Sequence, residues 1–181
     1  MNDLTPEQSA ILALVAKLAK LAADFDIRNF SFEPDIDDYY HVASARMPTG
    51  GEPVHVVIGL PLHGDHVFIA ISDGDPVAIA KAVGSLQHYD ERKARLHMGD
   101  TVPLTAVDEI KNAGWAAALF CPIEFLLDEF PASAEIHDKH YCFQLAVLIN
   151  SAERKFKIDN GFDKLMELFE AENRDIVSFY Q

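Results

Sequence analysis

The sequence predicts one α+β domain over residues 1–181, with a mixed, mostly antiparallel sheet flanked by helices. Three observations support this prediction. Apolar residues recur at helical spacing near both ends, short apolar or alternating runs with compact turns fill the middle, and no linker or internal repeat divides the chain. A chain of 181 residues also suffices to bury a core without disulfides or metals.

The first half of the chain opens with a helix and continues as strands. Thr5 can cap a helix that begins at Pro6, and Gln8 completes a capping box. The apolar stripe predicts that this helix ends near residues 24–26, and a weak strand signal surrounds Phe30. Stronger strand patterns, separated by compact turns that favour antiparallel hairpins, cover residues 39–47, 54–60 and 67–71.

The second half alternates helices and strands. Asp75 and Pro76 predict the start of a helix that runs to about Arg95, and Thr105 with Asp108 predicts a short helix. A central strand and a hairpin follow. The strands are expected over residues 115–121 and 141–149, the latter after a polar turn at 137–140.

Two helices close the chain. We expect Ser151 to cap the first, and residues 160–161 to separate it from the second. In the last helix Asp163 and Glu167 form a like-charge pair one turn apart, and Lys164 offsets part of their repulsion. The tail after Asn173 contains apolar residues and is expected to pack against the domain.

The charge balance limits the classes of partner. Lys and Arg total 15 and Asp and Glu total 29, which gives a formal net charge of -14. Such a chain is not expected to bind nucleic acid or an anionic membrane, whereas a basic protein partner is permitted.

The sequence also indicates the compartment. No apolar run approaches the ~18–20 residues of a membrane span, and the N-terminus lacks the basic segment of a secretory signal. The two cysteines, Cys121 and Cys142, lie in apolar runs and are expected to be reduced core thiols. We therefore expect a cytoplasmic protein.

The sequence contains no catalytic motif. It has no G-x-S-x-G nucleophile elbow and neither of the common glycine-rich phosphate loops, so we assign no catalytic residue and no cofactor. The metal-like pattern consists of two turns, one with His63 and His66 and one with His137 and His140. Neither turn has three or four ligands at a known zinc spacing, so a metal-dependent enzyme is the minor alternative.

Two acidic segments beside aromatic or apolar residues are candidate partner-binding surfaces. Tyrosines offer contact area at low entropy cost, and carboxylates steer a basic partner. In residues 24–38 six acids accompany a single arginine, and the candidates here are Asp35, Asp37, Asp38, Tyr39 and Tyr40. In the second segment, residues 124–138, the candidates are Glu124, Asp128 and Glu129. For the first segment, a solvated loop with two core tyrosines is the alternative.

Three stretches of the second half, in order, resemble a known family. LHMGDTVPL at residues 96–104 forms a "G-D-x-[VI]" turn after a helix, and the apolar run at 115–122 follows it. FQLAVLIN at 143–150 then precedes a charged helix start and GFDKLMELF at 161–169. In this order and spacing, residues 75–177 resemble the suppressor-of-fused-like domain family.

The resemblance implies a non-enzymatic binding protein. Eukaryotic members of the family bind and restrain a transcription factor, and single-domain bacterial-type members look like immunity proteins that neutralise a cognate toxin. The resemblance therefore implies an immunity-type protein with a toxin as its protein partner, and the net charge of -14 favours a basic toxin domain. The alternative is a regulatory module that binds a peptide or a transcription factor. No binding residue of the family can be matched position by position.

Overall fold

The computed structural model describes residues 4–22, 24–34, 38–48, 51–104 and 107–179. Within these ranges the predicted α+β architecture is confirmed, since a mixed sheet of eight strands is covered by helices on both faces. No helix of the described residues is long and apolar enough to cross a membrane.

The elements follow the expected order with one addition. The first half comprises α1 (Pro6–Leu18), β1 (Asp26–Phe30), β2 (Tyr40–Arg46), β3 (His55–Gly59), β4 (His66–Ser72) and α2 (Pro76–Arg92). The second half comprises β5 (Thr101–Pro103), α3 (Asp108–Asn112), β6 (Trp115–Pro122), β7 (Ser133–Ile136), β8 (Lys139–Asn150), α4 (Ser151–Asn160) and α5 (Phe162–Ala171). The short strand β5 was missed by the sequence analysis.

Strand β8 joins the two halves of the sheet. The strand order is β1-β2-β3-β4-β8-β6-β5, and β7 also pairs with β8. The β4–β8 ladder is parallel and places His66 opposite Cys142, whereas the other ladders are antiparallel. On its other edge β8 pairs first with β7 and then with β6, so the chain between β6 and β7 must leave the sheet.

Each face of the sheet has its own hydrophobic core. Ile11 of α1 and Leu165 and Phe169 of α5 are buried in one of them. Val83 of α2 and Ile110 of α3 are buried in the other. The α5 helix therefore shares a face with α1 and lies opposite α2 and α3.

The end of α1 differs from the prediction. The helix ends at Leu18 rather than near residues 24–26. Lys20 adopts a left-handed backbone with φ of 55°, and the Leu21 N–H donates to the Ala16 carbonyl at 2.8 Å. This closure turns Leu21 into the core. Because Leu21 is apolar and buried although it lies outside the helix, the apolar pattern in the sequence extends beyond the end of α1.

Two other helix boundaries are also shifted. The expected cap of α2, Asp75, is confirmed, but α2 ends at Arg92 because Asp90 Oδ1 accepts the Leu96 N–H at 2.6 Å and redirects the chain. The N-cap of α4 is Asn150 rather than Ser151. The reciprocal hydrogen bonds between Asn150 and Glu153, 2.8 and 2.9 Å long, form a capping box.

The β7–β8 hairpin is tighter than predicted. Its turn consists of His137 and Asp138, with φ of 48° and 61°, as in a type I′ turn. The other two residues of the expected turn, Lys139 and His140, already pair within the hairpin. Thr105, the expected cap of the short helix, lies outside the described residues.

The chain end packs on the domain, as the sequence predicts. The Trp115 indole N–H donates to the Phe179 carbonyl at 2.9 Å, and Asp73 accepts the Phe179 N–H at 2.6 Å. The Phe179 side chain is buried in the core on the α2 face.

A buried histidine gives the fold a pH dependence. In β2, His41 Nδ1 lies 3.1 Å from Gln8 Oε1, while its Nε2 is buried without a hydrogen-bond partner among the described residues. Burial lowers the pKa of His41 below its usual value of 6.5. Below about pH 6.5 the unfolded chain binds a proton that the folded chain does not, so the free energy of unfolding should decrease as the pH falls.

The variant His41→Gln should weaken this pH dependence. Denaturant unfolding of both proteins at several pH values between about 7.5 and 5 measures it. The comparison at the upper end of this range separates the cost of the substitution itself from the titration. Parallel pH profiles for the two proteins would contradict the assignment to His41.

Candidate functional site

The segment 123–132 leaves the sheet between β6 and β7. It starts with a 3-10 turn at Ile123–Phe125, after which the Leu126 and Leu127 N–H groups both donate to the Ile123 carbonyl at 3.2 Å. Ile123 and Phe130 are buried at its two ends, whereas the side chain of Phe125 between them is 46% exposed. The segment is thus anchored at both ends and presents apolar surface in its middle.

This segment and α5 enclose a groove of about 590 Å³. Its apolar lining is Phe125, Leu126, Met166, Phe169 and Ile176. A second depression of about 320 Å³ shares Leu126 and lies between residues 18–20 and residues 126–130. We call the two depressions together the α5 groove.

The α5 groove has an acidic rim. Its lining includes five carboxylates, Asp128, Glu129, Asp163, Glu167 and Glu170, against the two cations Lys20 and Arg174.

Most of these carboxylates are not neutralised by any residue in the described ranges. Arg174 is already committed to Glu153, with Nε 2.9 Å from Oε1, and Glu167 pairs with Lys164 at 2.6 Å. The other four rim carboxylates form no ion pair with any described residue. The rim therefore keeps an excess of negative charge beside exposed apolar surface.

The second predicted acidic segment lies at this groove. Asp128 and Glu129 line it, and Glu124 is exposed next to Phe125. Sequence reasoning missed the contribution of α5, from Asp163 and Glu170. The sequence does contain a pattern that predicts an acidic face on α5, because residues 163, 167 and 170 recur at helical spacing beside the buried apolar residues of this helix.

The first predicted acidic segment is tied to α2. Asp35 and Asp37 lie outside the described residues. Asp38 pairs with Arg92, and Glu33 Oε1 lies 3.1 Å from His88 Nε2 and 3.2 Å from Lys93 Nζ. These hydrogen bonds, chiefly that from Lys93, lower the pKa of Glu33. Glu33 and Asp38 therefore tether this segment to the end of α2.

The two tyrosines beside this segment differ. Tyr39 is 41% exposed and remains a candidate contact residue. Tyr40 is 1% exposed, and its ring packs edge-on against His88 at 5.6 Å, so the prediction that it contacts a partner is wrong. Burial raises the pKa of Tyr40 to about 12, in agreement with a core position.

The two histidine turns meet but do not form a metal centre. Lys139 Nζ donates to the Gly64 carbonyl at 2.6 Å, which joins the turns. His66 is buried with Nδ1 3.0 Å from Asp90 Oδ1, whereas the exposed His63 and His137 lie near Asp38 and Glu7, respectively.

His140, the fourth candidate, is exposed and lies opposite Glu135 in the β7–β8 ladder. Within the described ranges, no group of three or more His, Cys, Asp or Glu residues is placed to hold a metal ion. The structure therefore offers no ligand set for the metal-dependent alternative in these ranges.

Comparisons of sequence find no match, either to a family model or to a curated protein. Solved structures do match. A SUFU (suppressor of fused protein) homolog from Neisseria gonorrhoeae FA 1090 superposes with a TM-score of 0.69 at 14% identity, over 97% of this chain and 94% of that one.

Two further structures agree with this result. The Sufu–Fu complex gives a TM-score of 0.72 at 11% identity, over 96% of this chain and 89% of that one. Drosophila Suppressor of Fused gives 0.70 at 11% identity, and the match covers 96% of this chain but 49% of the Drosophila chain. The fold thus extends the resemblance from the second half to nearly the whole sequence, and this chain folds as a suppressor-of-fused-like domain.

Proposed function

We propose that this chain is a non-enzymatic protein-binding domain that neutralises a cognate toxin by occupying its surface, as immunity proteins do. The observation that supports binding is the α5 groove, where the exposed Phe125 and half-buried apolar side chains lie beside carboxylates without ion-pair partners in the described residues. A solved structure with this fold is that of a protein complex, the Sufu–Fu complex, which favours the same class of function.

Charge supports a basic toxin domain as the partner. Nucleic-acid-cleaving toxins need basic surfaces to hold their substrate, and this chain has a formal net charge of -14. Electrostatic steering raises association rates by about 10–10³-fold, which benefits an inhibitor that must act before the toxin does. We place the encounter in the cytoplasm, since the free thiols Cys121 and Cys142 suit a reducing compartment.

Co-expression tests the proposal. The toxin candidates are domains encoded by the neighbouring genes, expressed with this chain or with an empty vector. We expect this chain to restore growth in the presence of one of them, and the purified pair to associate more slowly as salt is raised. Growth arrest that this chain relieves for none of the candidates would contradict the immunity role.

A regulatory peptide-binding module is the second candidate. The observation in its favour is β1, which ends the strand order of the sheet and carries Ile27 at 41% exposure. An extended peptide could add to such an edge. However, Asp26 and Arg28 pair with each other on this short strand, and charges of this kind discourage strand addition. A pull-down that returns an extended peptide rather than a folded domain would favour this candidate.

A further inference from the structure

We propose that the α5 groove binds a basic segment of the partner, with an apolar anchor of that segment over Met166 and with lysines or arginines against the acidic rim. This inference rests on the proposed protein-binding function and assigns its contact surface and the chemistry of the partner.

The apolar lining suits an anchor side chain. The depression beside α5, of about 590 Å³, lies within the ~300–1,000 Å³ of ordinary binding pockets. Phe125 is 46% exposed, and the half-buried Met166 has an unbranched side chain that adapts to different shapes. An anchor placed here would remove apolar surface from water on several sides at once, which favours binding.

The wall formed by α5 is held to the rest of the domain by contacts just beyond its last residue. Arg174, just beyond α5, pairs with Glu153 and donates to the Leu148 carbonyl at 3.0 Å. Its guanidinium also lies over the rings of Trp115 and Phe169, at 5.1 and 5.4 Å from their centroids. A surface that is already ordered loses little conformational entropy on binding.

The rim charge selects the occupant. Asp128, Glu129, Asp163 and Glu170 have no ion-pair partner among the described residues, so a cationic segment gains contacts that the domain does not already satisfy. A second copy of this chain would oppose acid to acid across a symmetric contact, and nucleic acid would bring further negative charge. A basic protein segment is the occupant that this surface favours.

Designed peptides test the chemistry directly. One peptide of about 15 residues carries a Leu and Phe stripe at helical spacing with Lys elsewhere, and its matched control has Glu in place of Lys. With methyl-labelled protein, the Lys peptide should shift the resonances of Met166 and Leu126, more weakly at higher salt. The Glu peptide should not shift them.

Charge-reversal variants test the location. Asp163→Lys with Glu170→Lys reverses the rim, and Asp108→Lys with Glu109→Lys makes the same charge change on α3, on the opposite face of the sheet. Asp108 and Glu109 are both first-turn acids, whereas only Asp163 of the rim pair is, so the control variant bears the larger cost to the fold. The rim variant should bind the Lys peptide at least about tenfold more weakly, while the control stays within about twofold. Thermal melting confirms that both variants fold.

Several results would overturn the inference. The first is equal affinity for the Lys and Glu peptides, and the second is a set of resonance shifts confined to another surface. The third is an equal loss of peptide affinity in the two charge-reversal variants. The fourth is a homodimer, detected by sedimentation, that dissociates only in the rim variant. If a neutralised toxin is found, its equal capture by wild type and rim variant would also overturn the groove assignment while the proposed function stands. Conversely, a bound Lys peptide without any neutralised toxin contradicts the immunity role alone.

Discussion

Replacing Arg174 by alanine should lower the free energy of unfolding by about 3 kcal/mol, because it leaves Glu153 without its partner in a mostly buried position. The side chains of this pair are only 10% and 14% exposed, respectively. The variant also removes the hydrogen bond to the Leu148 carbonyl and the cation–π contacts with Trp115 and Phe169. Denaturant unfolding followed by Trp115 fluorescence would measure the loss.

Lys164→Ala is the matched control for Arg174→Ala. Its ion pair with Glu167 lies on α5 and both side chains are more than 60% exposed, so the loss should stay below about 0.5 kcal/mol. Arg174→Lys should fall between the two, since lysine keeps the charge and loses the planar fork. Similar losses for the two alanine variants would show that burial does not distinguish the pairs.

Replacing Gly74 by alanine should destabilise the domain by about 2–4 kcal/mol by displacing the chain end. A Cβ at this position would lie 2.7 Å from Phe179 Cβ and Cδ2, closer than real side chains approach. Phe179 is 4% exposed, and its backbone bonds to Trp115 and Asp73 hold it in place. The added methyl must therefore push the Phe179 ring out or shift the strand end beneath it.

A double-mutant cycle identifies the mechanism. Phe179→Gly alone should cost at least about 3 kcal/mol, but Gly74→Ala should cost less than about 1 kcal/mol in that background, since the obstructing ring and Cβ are both gone. The emission of Trp115, 3% exposed in the native domain, should shift to longer wavelength in Gly74→Ala as the tail detaches. Additive losses, or an unshifted emission, would be inconsistent with displacement of the tail.

Sequence patterns predicted the local features of the fold well. The caps at Thr5 and Asp75 were identified because a cap depends on residues two or three apart. The ends of α1 and α2 were not, because each is set by the entry of a later apolar residue, Leu21 or Leu96, into the core. Such packing depends on the tertiary arrangement and has no period in the sequence.

The difference between local patterns and tertiary packing also explains which parts of the candidate site could be predicted from the sequence. The apolar and acidic mixture of residues 124–130 is a local pattern and could be recognised. The contribution of α5 could not be connected to it, because only the fold brings the two segments together. The ion pairs of Glu33 and Asp38 could not be predicted from the sequence either, because their partners Lys93 and Arg92 lie at the end of a distant helix.

The parallel ladder between β4 and β8 has a consequence for how the chain folds. All seven residues of β4 are buried, yet the strand that covers its free edge is synthesised only after α2, α3 and β6. Pairing of such distant segments is slow, so folding of this domain should take milliseconds to seconds, with the addition of β8 as the limiting event. Until then the apolar edges of β4 and β6 are open to pairing with other chains, and nascent or truncated forms that lack β8 are expected to aggregate.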